Sequence, residues 1–192
     1  MSYHFFAYLS RMKLIRRWGL MRNTVPENIQ EHSLQVAVIA HALALIGNKY
    51  YGGSADPAQA ALLALYHDVG EVLIGDLPTP VKYFNPQIKE AYGQIENVAR
   101  EKLLSHLPPE LKEEYRALFF PAQDKSALLV KAADKIAAYL KCREEAVSGN
   151  GEFARAGQAL LRGIEEYYYL PEVERFMRDF AGSFTLPIDE MD

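Results

Sequence analysis

Two histidines and two aspartates are the residues of this chain whose types could bind a divalent cation. His67 and Asp68 are adjacent, His32 lies upstream and Asp134 lies downstream. Imidazole nitrogen and carboxylate oxygen together suit Co²⁺, Mn²⁺, Fe²⁺ or Zn²⁺ better than Mg²⁺ or Ca²⁺. Too few other histidines remain for a conventional two-metal cluster, so we expect one ion with open positions for water. Such a site predicts a metal-dependent hydrolase.

The apolar spacing predicts that the His32 side chain points into the protein. It shares one helix face with Val36, Ile39 and Leu43. Nine residues further along, His41 is rotated by about 180° on the same helix. We therefore expect His41 to face the other way and to take no part in metal binding.

Asp134 falls on an apolar helical stripe, where an unpaired carboxylate is costly to bury. A metal ion bound to it is one explanation. The other is a charge pair with the flanking Lys131 or Lys135. The apolar members of the stripe are Ala127, Val130, Ala137 and Ala138.

Apolar residues recur at helical spacing along the whole chain, and proline and glycine fall mostly between the periodic segments. This pattern predicts an all-α fold. Asn28 with Glu31 resembles a capping box, and Asp56 before Pro57 is a second start signal. Residues 77–80 are predicted to be a loop because proline disfavours a helical conformation in the residue before it. The predicted helices cover about 3–18, 28–46, 56 to near 67–70, 86–106, 109–119, 124–147, 152–168 and 171–180.

Composition limits the classes of protein to consider. With 192 residues, 49% of them hydrophobic, the chain can bury one substantial core, so residues 1–192 are predicted to be a single compact domain. The net charge of −4 argues against a polynucleotide partner. Cys142 is the only cysteine, residues 1–17 lack the features of a secretory signal, and the apolar stretch 36–46 is short for a membrane span. We expect a cytoplasmic protein without a membrane partner.

The histidine and aspartate pattern resembles the HD-domain metal-dependent phosphohydrolase superfamily, and further blocks resemble the bacterial 5′-deoxynucleotidase family. The resemblance implies an HD-type helical bundle that forms cytoplasmic homodimers and favours Co²⁺. It also implies the conversion of deoxyribonucleoside 5′-monophosphates to deoxyribonucleosides and phosphate. The blocks are Phe5-Phe6-Ala7, Arg17-Trp18, 31–37, His67-Asp68, 71–73, 75–82 and 138–142.

Three charged residues are the predicted catalytic groups. Glu71 follows His67 by four residues, so a helical turn would bring its carboxylate to the metal pair, where it could orient or deprotonate water. Arg17 would hold phosphate oxygens through its planar guanidinium. Asp76 could protonate the departing 5′-oxygen. The plainer alternatives are an ordinary exposed glutamate or a Glu71–Arg17 salt bridge, a solvated helix end for Arg16 and Arg17, and a turn for Asp76.

Trp18, the only tryptophan, is either a core residue or a rigid wall that excludes a 2′-hydroxyl. The family resemblance favours the wall and places the loop after Asp76 at the nucleoside. No polar pattern for reading base edges is evident, so little base preference is expected. The predicted substrate-binding residues are Arg17, Trp18, His32, Glu71, Asp76, Leu77, Pro78 and Thr79.

Rival functions remain open at this point. An HD-type enzyme could instead hydrolyse a cyclic nucleotide, guanosine tetraphosphate or a nucleoside triphosphate, but few basic residues lie near the motif. The metal could also serve a non-catalytic nucleotide-binding module. A helical scaffold for a protein partner would need no metal.

Overall fold

The computed structural model describes residues 2–82 and 84–191. Within these residues the chain forms α-helices and short 3₁₀ helices, and the only β-type pairing is one isolated bridge between Arg16 and Asn28. The all-α prediction is confirmed. The α-helices are α1 (Phe5–Leu9), α2 (Ile29–Tyr51), α3 (Pro57–Tyr66), α4 (Glu71–Ile74), α5 (Thr79–Lys82), α6 (Pro86–Ser105), α7 (Pro109–Phe119), α8 (Lys125–Val147), α9 (Ala154–Glu165) and α10 (Pro171–Asp179).

Side-chain caps begin the two helices that lead into the predicted metal site. Asn28 Oδ1 accepts hydrogen bonds from the Gln30 and Glu31 N–H groups at 3.0 Å each, and the Asn28 N–H donates to Glu31 Oε2 at 3.3 Å. Asp56 Oδ1 accepts from the N–H groups at 58 and 59, at the start of α3. Both predicted starts are confirmed, because caps satisfy N–H groups that a first helical turn leaves unpaired.

The prediction of one helix over residues 3–18 is wrong. Helix α1 ends at Leu9, a 3₁₀ turn covers Met12–Leu14, and the backbone becomes extended at Ile15. The Ile29 N–H donates to Ile15 O at 3.0 Å, and the Arg17 N–H donates to Glu27 O at 3.0 Å. Residues 15–17 therefore exchange helical hydrogen bonds for bonds to the segment just before α2.

Smaller differences concern helix ends. Residues 77–80 are a loop only as far as Pro78, since α5 begins at Thr79 with Pro80 in its first turn, where a missing N–H costs little. Helix α2 extends to Tyr51 rather than to about residue 46. The predicted helix 152–168 divides into a 3₁₀ turn at Gly151–Phe153 and α9.

Two compact units make up the described chain. The single domain expected over residues 1–192 stays a prediction. The first unit contains residues 2–22, 26–33, 66–82 and 84–122. Its core is aromatic and aliphatic, with the Phe5 ring 4.7 Å from that of Tyr115 and 5.9 Å from that of Phe119. The buried residues of this core are Phe5, Val69, Leu103, Leu104, Leu107 and Phe119. Val69 directly follows Asp68, so this core anchors the predicted metal-binding turn.

The second unit contains residues 23–25, 34–65 and 123–191. Helices α8 and α9 approach closely at Gly157. A Cβ added there would lie only 3.3 Å from the Cβ of the buried Cys142. Glu145 and Lys141 form a buried ion pair on α8. The Glu145 carboxylate also accepts hydrogen bonds from the Thr24 and Val25 N–H groups, so this pair fastens the segment before α2.

Helix α2 is longer than the apolar stretch 36–46, which the sequence analysis judged short for a membrane span. Its 23 residues are long and apolar enough, by length and composition, to cross a membrane. Of the 18-residue window of α2 that is this apolar, however, 56% is buried inside the protein. Burial in a protein core accounts for the same composition.

Candidate metal centre and active site

Two capped or anchored elements position the three metal-binding candidates. His32 lies in the first turn of α2, after the Asn28 cap, and its side chain is fully buried. His67 and Asp68 lie in the turn that follows α3. That turn is closed by hydrogen bonds from the Val69 N–H to Tyr66 O and from the Glu71 N–H to Asp68 O. His41, on the same helix as His32, is exposed.

Three of the four predicted ligands converge. One nitrogen of each imidazole and one oxygen of Asp68 all lie within 4.8 Å of one another. Asp68 Oδ2 is 3.2 Å from His67 Nε2 and 3.8 Å from His32 Nε2, and the two imidazole centroids are 5.4 Å apart. Two nitrogens and one carboxylate oxygen at this spacing fit a first-row divalent cation that keeps further positions open.

Asp134 lies on α8, in the second unit. The apolar stripe predicted around it is buried, whereas the aspartate itself is only half-buried. Burial raises the pKa of Tyr167, and negative charges including Asp134 add to that rise, so the Asp134 carboxylate lies near this tyrosine. Its role as a fourth metal ligand remains a prediction.

Arg17 faces both Asp68 and Glu27. Its Nη1 is 3.8 Å from Asp68 Oδ2, and its Nε is 3.0 Å from Glu27 Oε2. The guanidinium carbon lies 5.9 Å from the centre of the Trp18 indole. Burial would raise the pKa of Asp68, but His67 above all, followed by His32 and then Arg17, outweighs burial and holds this pKa far below its usual range. The interpretation of Arg17 as a solvated helix end is therefore wrong.

Trp18 is half-buried and has a left-handed backbone, with φ +59°. Its Nε1–H donates to Glu27 Oε2 at 3.0 Å, and its backbone N–H donates to the Asp76 carboxylate. A Cβ makes this conformation unfavourable, so the two hydrogen bonds hold a strained residue in place. Trp18 thus lies beside two predicted catalytic residues instead of in the buried core.

Glu71 and Asp76 are acidic groups with raised pKa values. Burial, then the negative charges of Asp68 and Asp76, raise the pKa of Glu71 to about 10, against the opposing charges of Arg17 and Lys82. Burial also raises the pKa of Asp76, although Arg17 lowers it. Perturbed carboxyl groups that face one another are typical of proton-transfer sites.

The loop after α4 holds Asp76 and the remaining predicted substrate-binding residues. Gly75 has φ +78° and ψ 165°, a conformation open almost only to glycine. The Tyr92 hydroxyl donates to Gly75 O at 3.3 Å and so ties the loop to α6. Leu77 and Pro78 are half-buried and Thr79 is exposed, so these side chains have surface available to a ligand.

Sequence reasoning missed two structural groups of this site. Glu27 contacts both Arg17 and Trp18, but a glutamate before a helix cap gives no local signal of that. Lys82 Nζ lies 2.8 Å from Glu96 Oε1 and 4.7 Å from the centre of the Tyr92 ring. Only the arrangement of α5 against α6 brings this second group together.

A family model described as 5′-deoxynucleotidase YfbR-like matches residues 4–184. The chain belongs to this family. The matched region includes all four predicted metal ligands and every predicted catalytic residue. The family predicted from the sequence motifs is thus confirmed, and so is the prediction of an enzyme of this class.

Close relatives carry the same family name. A 5′-deoxynucleotidase of Vibrio parahaemolyticus is 54% identical over 190 residues, which span 98% of this chain and 97% of the relative. A 5′-deoxynucleotidase of Yersinia pseudotuberculosis is 50% identical over 192 residues, with 98% and 96% covered. The similarity therefore extends over nearly the full length of this chain and of both relatives.

Solved structures agree on the fold. An HD-domain phosphohydrolase from Listeria innocua has a TM-score of 0.85 at 24% identity, with 94% of this chain and 88% of that chain covered. The HD phosphohydrolase DatZ of cyanophage S-2L, bound to dA and one catalytic Zn²⁺ ion, has a TM-score of 0.66 at 22% identity, with 92% and 96% covered. The HD-type helical fold predicted for this YfbR-like protein is confirmed.

Proposed function

We propose that this protein hydrolyses deoxyribonucleoside 5′-monophosphates to deoxyribonucleosides and phosphate, using one divalent metal ion per chain. The observation that carries the proposal is the convergence of His32, His67 and Asp68 donor atoms within 4.8 Å, with Arg17 Nη1 3.8 Å from Asp68. The named activity of the 5′-deoxynucleotidase relatives supports the substrate class.

The metal would be held by His32, His67 and Asp68, with Asp134 as a fourth ligand. A divalent ion there supplies Lewis acidity and lowers the pKa of water from ~16 toward ~7. We propose Co²⁺ as the preferred ion, with Mn²⁺, Zn²⁺ and Fe²⁺ as alternatives that the same nitrogen and oxygen donors accept. The Zn²⁺ in the cyanophage enzyme makes zinc the first alternative to test.

Arg17 would bind the phosphate. A phosphate monoester is a dianion that repels an incoming nucleophile, so positive charge must reach its oxygens before reaction. The guanidinium lies beside Asp68, a proposed metal ligand. Its planar shape fixes the directions in which its N–H groups point. Arg17 would therefore neutralise the ester close to the proposed metal ligands.

Two carboxyl groups would move protons. Glu71, buried close to the proposed metal ligand Asp68, would orient or deprotonate the attacking water. Asp76, whose burial raises its pKa, acts as the acid for the departing 5′-oxygen. Glu71 would thus take one proton from the water, and the proton given by Asp76 would leave on the 5′-hydroxyl of the deoxyribonucleoside.

Trp18 would exclude ribonucleotides. Its indole is tied to Glu27, so it forms a rigid wall against which an extra 2′-hydroxyl has no space. Leu77, Pro78 and Thr79 would contact the nucleoside, together with His32. We propose little preference among bases, because these side chains offer few polar groups that could distinguish the edges of different bases.

We propose that the protein works in the cytoplasm as a homodimer, without a polynucleotide or membrane partner. Hydrolysis of another nucleotide by an HD-type site is the main alternative. A non-catalytic nucleotide-binding module is the second, and the buried Glu71 beside the metal ligands argues against it.

Phosphate release from dAMP and AMP tests the proposal. The protein is stripped of metal by chelation and then assayed alone and with Co²⁺, Mn²⁺, Zn²⁺ or Mg²⁺ added. We expect no release from the stripped protein, rescue by first-row ions and faster release from dAMP. A cyclic nucleotide and a nucleoside triphosphate serve as competing substrates in parallel.

The outcomes separate the alternatives. Faster hydrolysis of either competing substrate than of dAMP would favour the other HD-type activity. Tight dAMP binding without phosphate release in any metal would favour the binding module. Equal rates for dAMP and AMP would contradict the role of Trp18.

A further inference from the structure

We infer that Glu27 is a positioning residue that holds Arg17 and Trp18 as one unit, and that it thereby couples phosphate binding to exclusion of the 2′-hydroxyl. The inference rests on the proposed function. It assigns a role to a residue outside the set predicted from the sequence, and it concerns how two of the predicted residues act together.

One carboxylate oxygen makes both side-chain contacts. Glu27 Oε2 accepts a hydrogen bond from Trp18 Nε1–H at 3.0 Å and lies 3.0 Å from Arg17 Nε. The Glu27 backbone takes part as well, because its carbonyl oxygen accepts from the Arg17 N–H at 3.0 Å. Glu27 is 8% exposed, so these contacts are shielded from water. The hydrogen bond from Trp18 to this carboxylate is charge-assisted and shielded, and such hydrogen bonds are the stronger ones, whereas the contact with Arg17 is an ion pair.

Trp18 needs such a contact because of its backbone. Its left-handed φ of +59° is unfavourable for a residue with a Cβ. The backbone N–H is held by Asp76, and the indole is held by Glu27. Without Glu27 the indole would lose the hydrogen bond of its Nε1–H, and the ring could rotate more readily about its side-chain bonds.

Glu27 is itself tied to the helix that carries a metal ligand. It directly precedes Asn28, the capping residue of α2, and Asn28 is bridged to Arg16. His32 lies in the first turn of that helix. The position of Glu27 relative to His32 is therefore set by a capped helix start on one side and by the Arg16 bridge on the other.

A ribonucleotide would then meet resistance at two residues. A 2′-hydroxyl that displaces the indole must strain or break the bond from Trp18 to Glu27. Because the same oxygen contacts Arg17, the phosphate-binding guanidinium moves as well. We therefore expect discrimination between dAMP and AMP to appear in kcat as well as in KM.

Two variants of Glu27 separate its two contacts. Glu27→Gln keeps a neutral acceptor for the indole but removes the charge that faces Arg17, whereas Glu27→Ala removes both. Glu90→Gln, on the exposed face of α6, is the matched control. The measurements are kcat and KM for dAMP and AMP, bound metal per chain, and the indole signal of the single tryptophan in ¹⁵N-labelled protein.

The expected results differ between the variants. Glu27→Ala lowers the ratio of kcat/KM for dAMP over AMP by about tenfold or more, the size expected for losing a charge-assisted bond. It also shifts the indole signal and speeds exchange of the indole proton. Glu27→Gln raises KM for both nucleotides together and keeps the ratio within about threefold of wild type. Glu90→Gln matches wild type in all four measurements.

Two results would overturn the inference. The first is a Glu27→Ala protein that binds metal and keeps both the wild-type ratio and the wild-type indole signal. The second, decisive if Glu27→Ala does not fold, is a Glu27→Gln protein with unchanged KM for both nucleotides. A wild-type protein that releases no phosphate from dAMP would instead contradict the proposed function, and the indole signal distinguishes that case.

Discussion

Arg17 Nη1 lies 3.8 Å from Asp68 Oδ2, so the proposed phosphate-binding cation directly faces a proposed metal ligand. A phosphate bound by Arg17 would therefore lie next to the metal-binding donors. The charge of Arg17 also helps to keep Asp68 ionised, as a ligand must be. In the proposed mechanism, one arginine would thus both bind the substrate and help to keep a metal ligand ionised.

Replacing Arg17 should impair binding and catalysis together. We expect Arg17→Gln to lower kcat/KM for dAMP by roughly 10- to 100-fold, since a bond to a charged group contributes about 1.5–3 kcal/mol. Arg17→Lys should be intermediate, because it keeps the charge but loses the planar fork. Steady-state kinetics at saturating metal measures both. Arg16→Gln, an exposed neighbour, is the control, and an equal loss there would contradict a specific role.

Removing a metal ligand should abolish metal binding before it affects folding. We expect His67→Ala to purify with less than about one tenth of the wild-type metal and to lose at least about 100-fold in kcat. Elemental analysis and phosphate release measure the two effects. His41→Ala provides the comparison, because that imidazole is exposed on the same helix as His32. A His67→Ala protein with full metal content would remove His67 from the ligand set.

Asp134 is the predicted ligand that lies outside the group of three converging side chains. We expect Asp134→Asn to weaken Co²⁺ binding by about 10- to 100-fold, as the loss of one ligand or supporting partner does in metal sites. Calorimetric titration of metal-free protein measures the affinity. Asp189→Asn, at an exposed position, should bind like wild type. If both variants bind equally, the three converging residues are completed by another donor.

Gly75 and Gly93 offer a matched pair of substitutions. A Cβ at either position meets no heavy atom within 4 Å, so only backbone conformation differs. Gly75→Ala places a Cβ at φ +78° and should cost about 1–3 kcal/mol, with a loss of kcat because the loop holds Asp76. Gly93→Ala, inside α6, should stabilise by up to about 1 kcal/mol. Thermal unfolding and dAMP hydrolysis check the pair, and equal melting temperatures would contradict the argument.

The buried Glu145 predicts a pH dependence of stability. Burial alone would raise its pKa, but bonds from Lys141 and from the Thr24 N–H, among others, hold the pKa well below its ordinary value of 4.5. Such a carboxylate contributes its full stability above the unfolded pKa and loses it progressively at lower pH. We expect Glu145→Gln to lose about 3–5 kcal/mol at pH 7, because Lys141 loses its buried partner.

The gap between wild type and Glu145→Gln should narrow as the pH falls below about 4.5, the ordinary pKa of a glutamate. Urea unfolding at pH 7, 5 and 3 measures it. Glu144→Gln, the exposed neighbour on α8, controls for the loss of one negative charge. A gap that stays constant across this range would show that the Glu145 charge does not stabilise the fold.

Local signals in the sequence predicted most helices, and three of the four predicted metal ligands do converge. Capping by Asn28 and Asp56 depends on residues two or three positions away, so spacing alone sufficed. His32 was placed correctly because its helix face repeats every three to four residues. His67 and Asp68 are adjacent in the sequence and directly follow α3. They therefore approach His32 together.

Contacts between distant segments could not be predicted in the same way. Residues 3–18 have helical spacing, yet Ile15 and Arg17 bond to backbone groups just before and at the start of α2. The left-handed conformation of Trp18 depends on Glu27 and Asp76, neither of which is its neighbour in the chain. Tertiary hydrogen bonds outweighed local propensity here, and they did so at the proposed specificity site.

The close packing of α9 against α8 makes Cys142 a built-in reporter of local opening. The chain has one sulfhydryl, and that group is 3% exposed at the point where Gly157 lets two backbones approach. Alkylating reagents can reach it only when the structure around this sulfur opens. The rate of thiol labelling in native buffer therefore measures local opening around α8 and α9, and no probe has to be introduced.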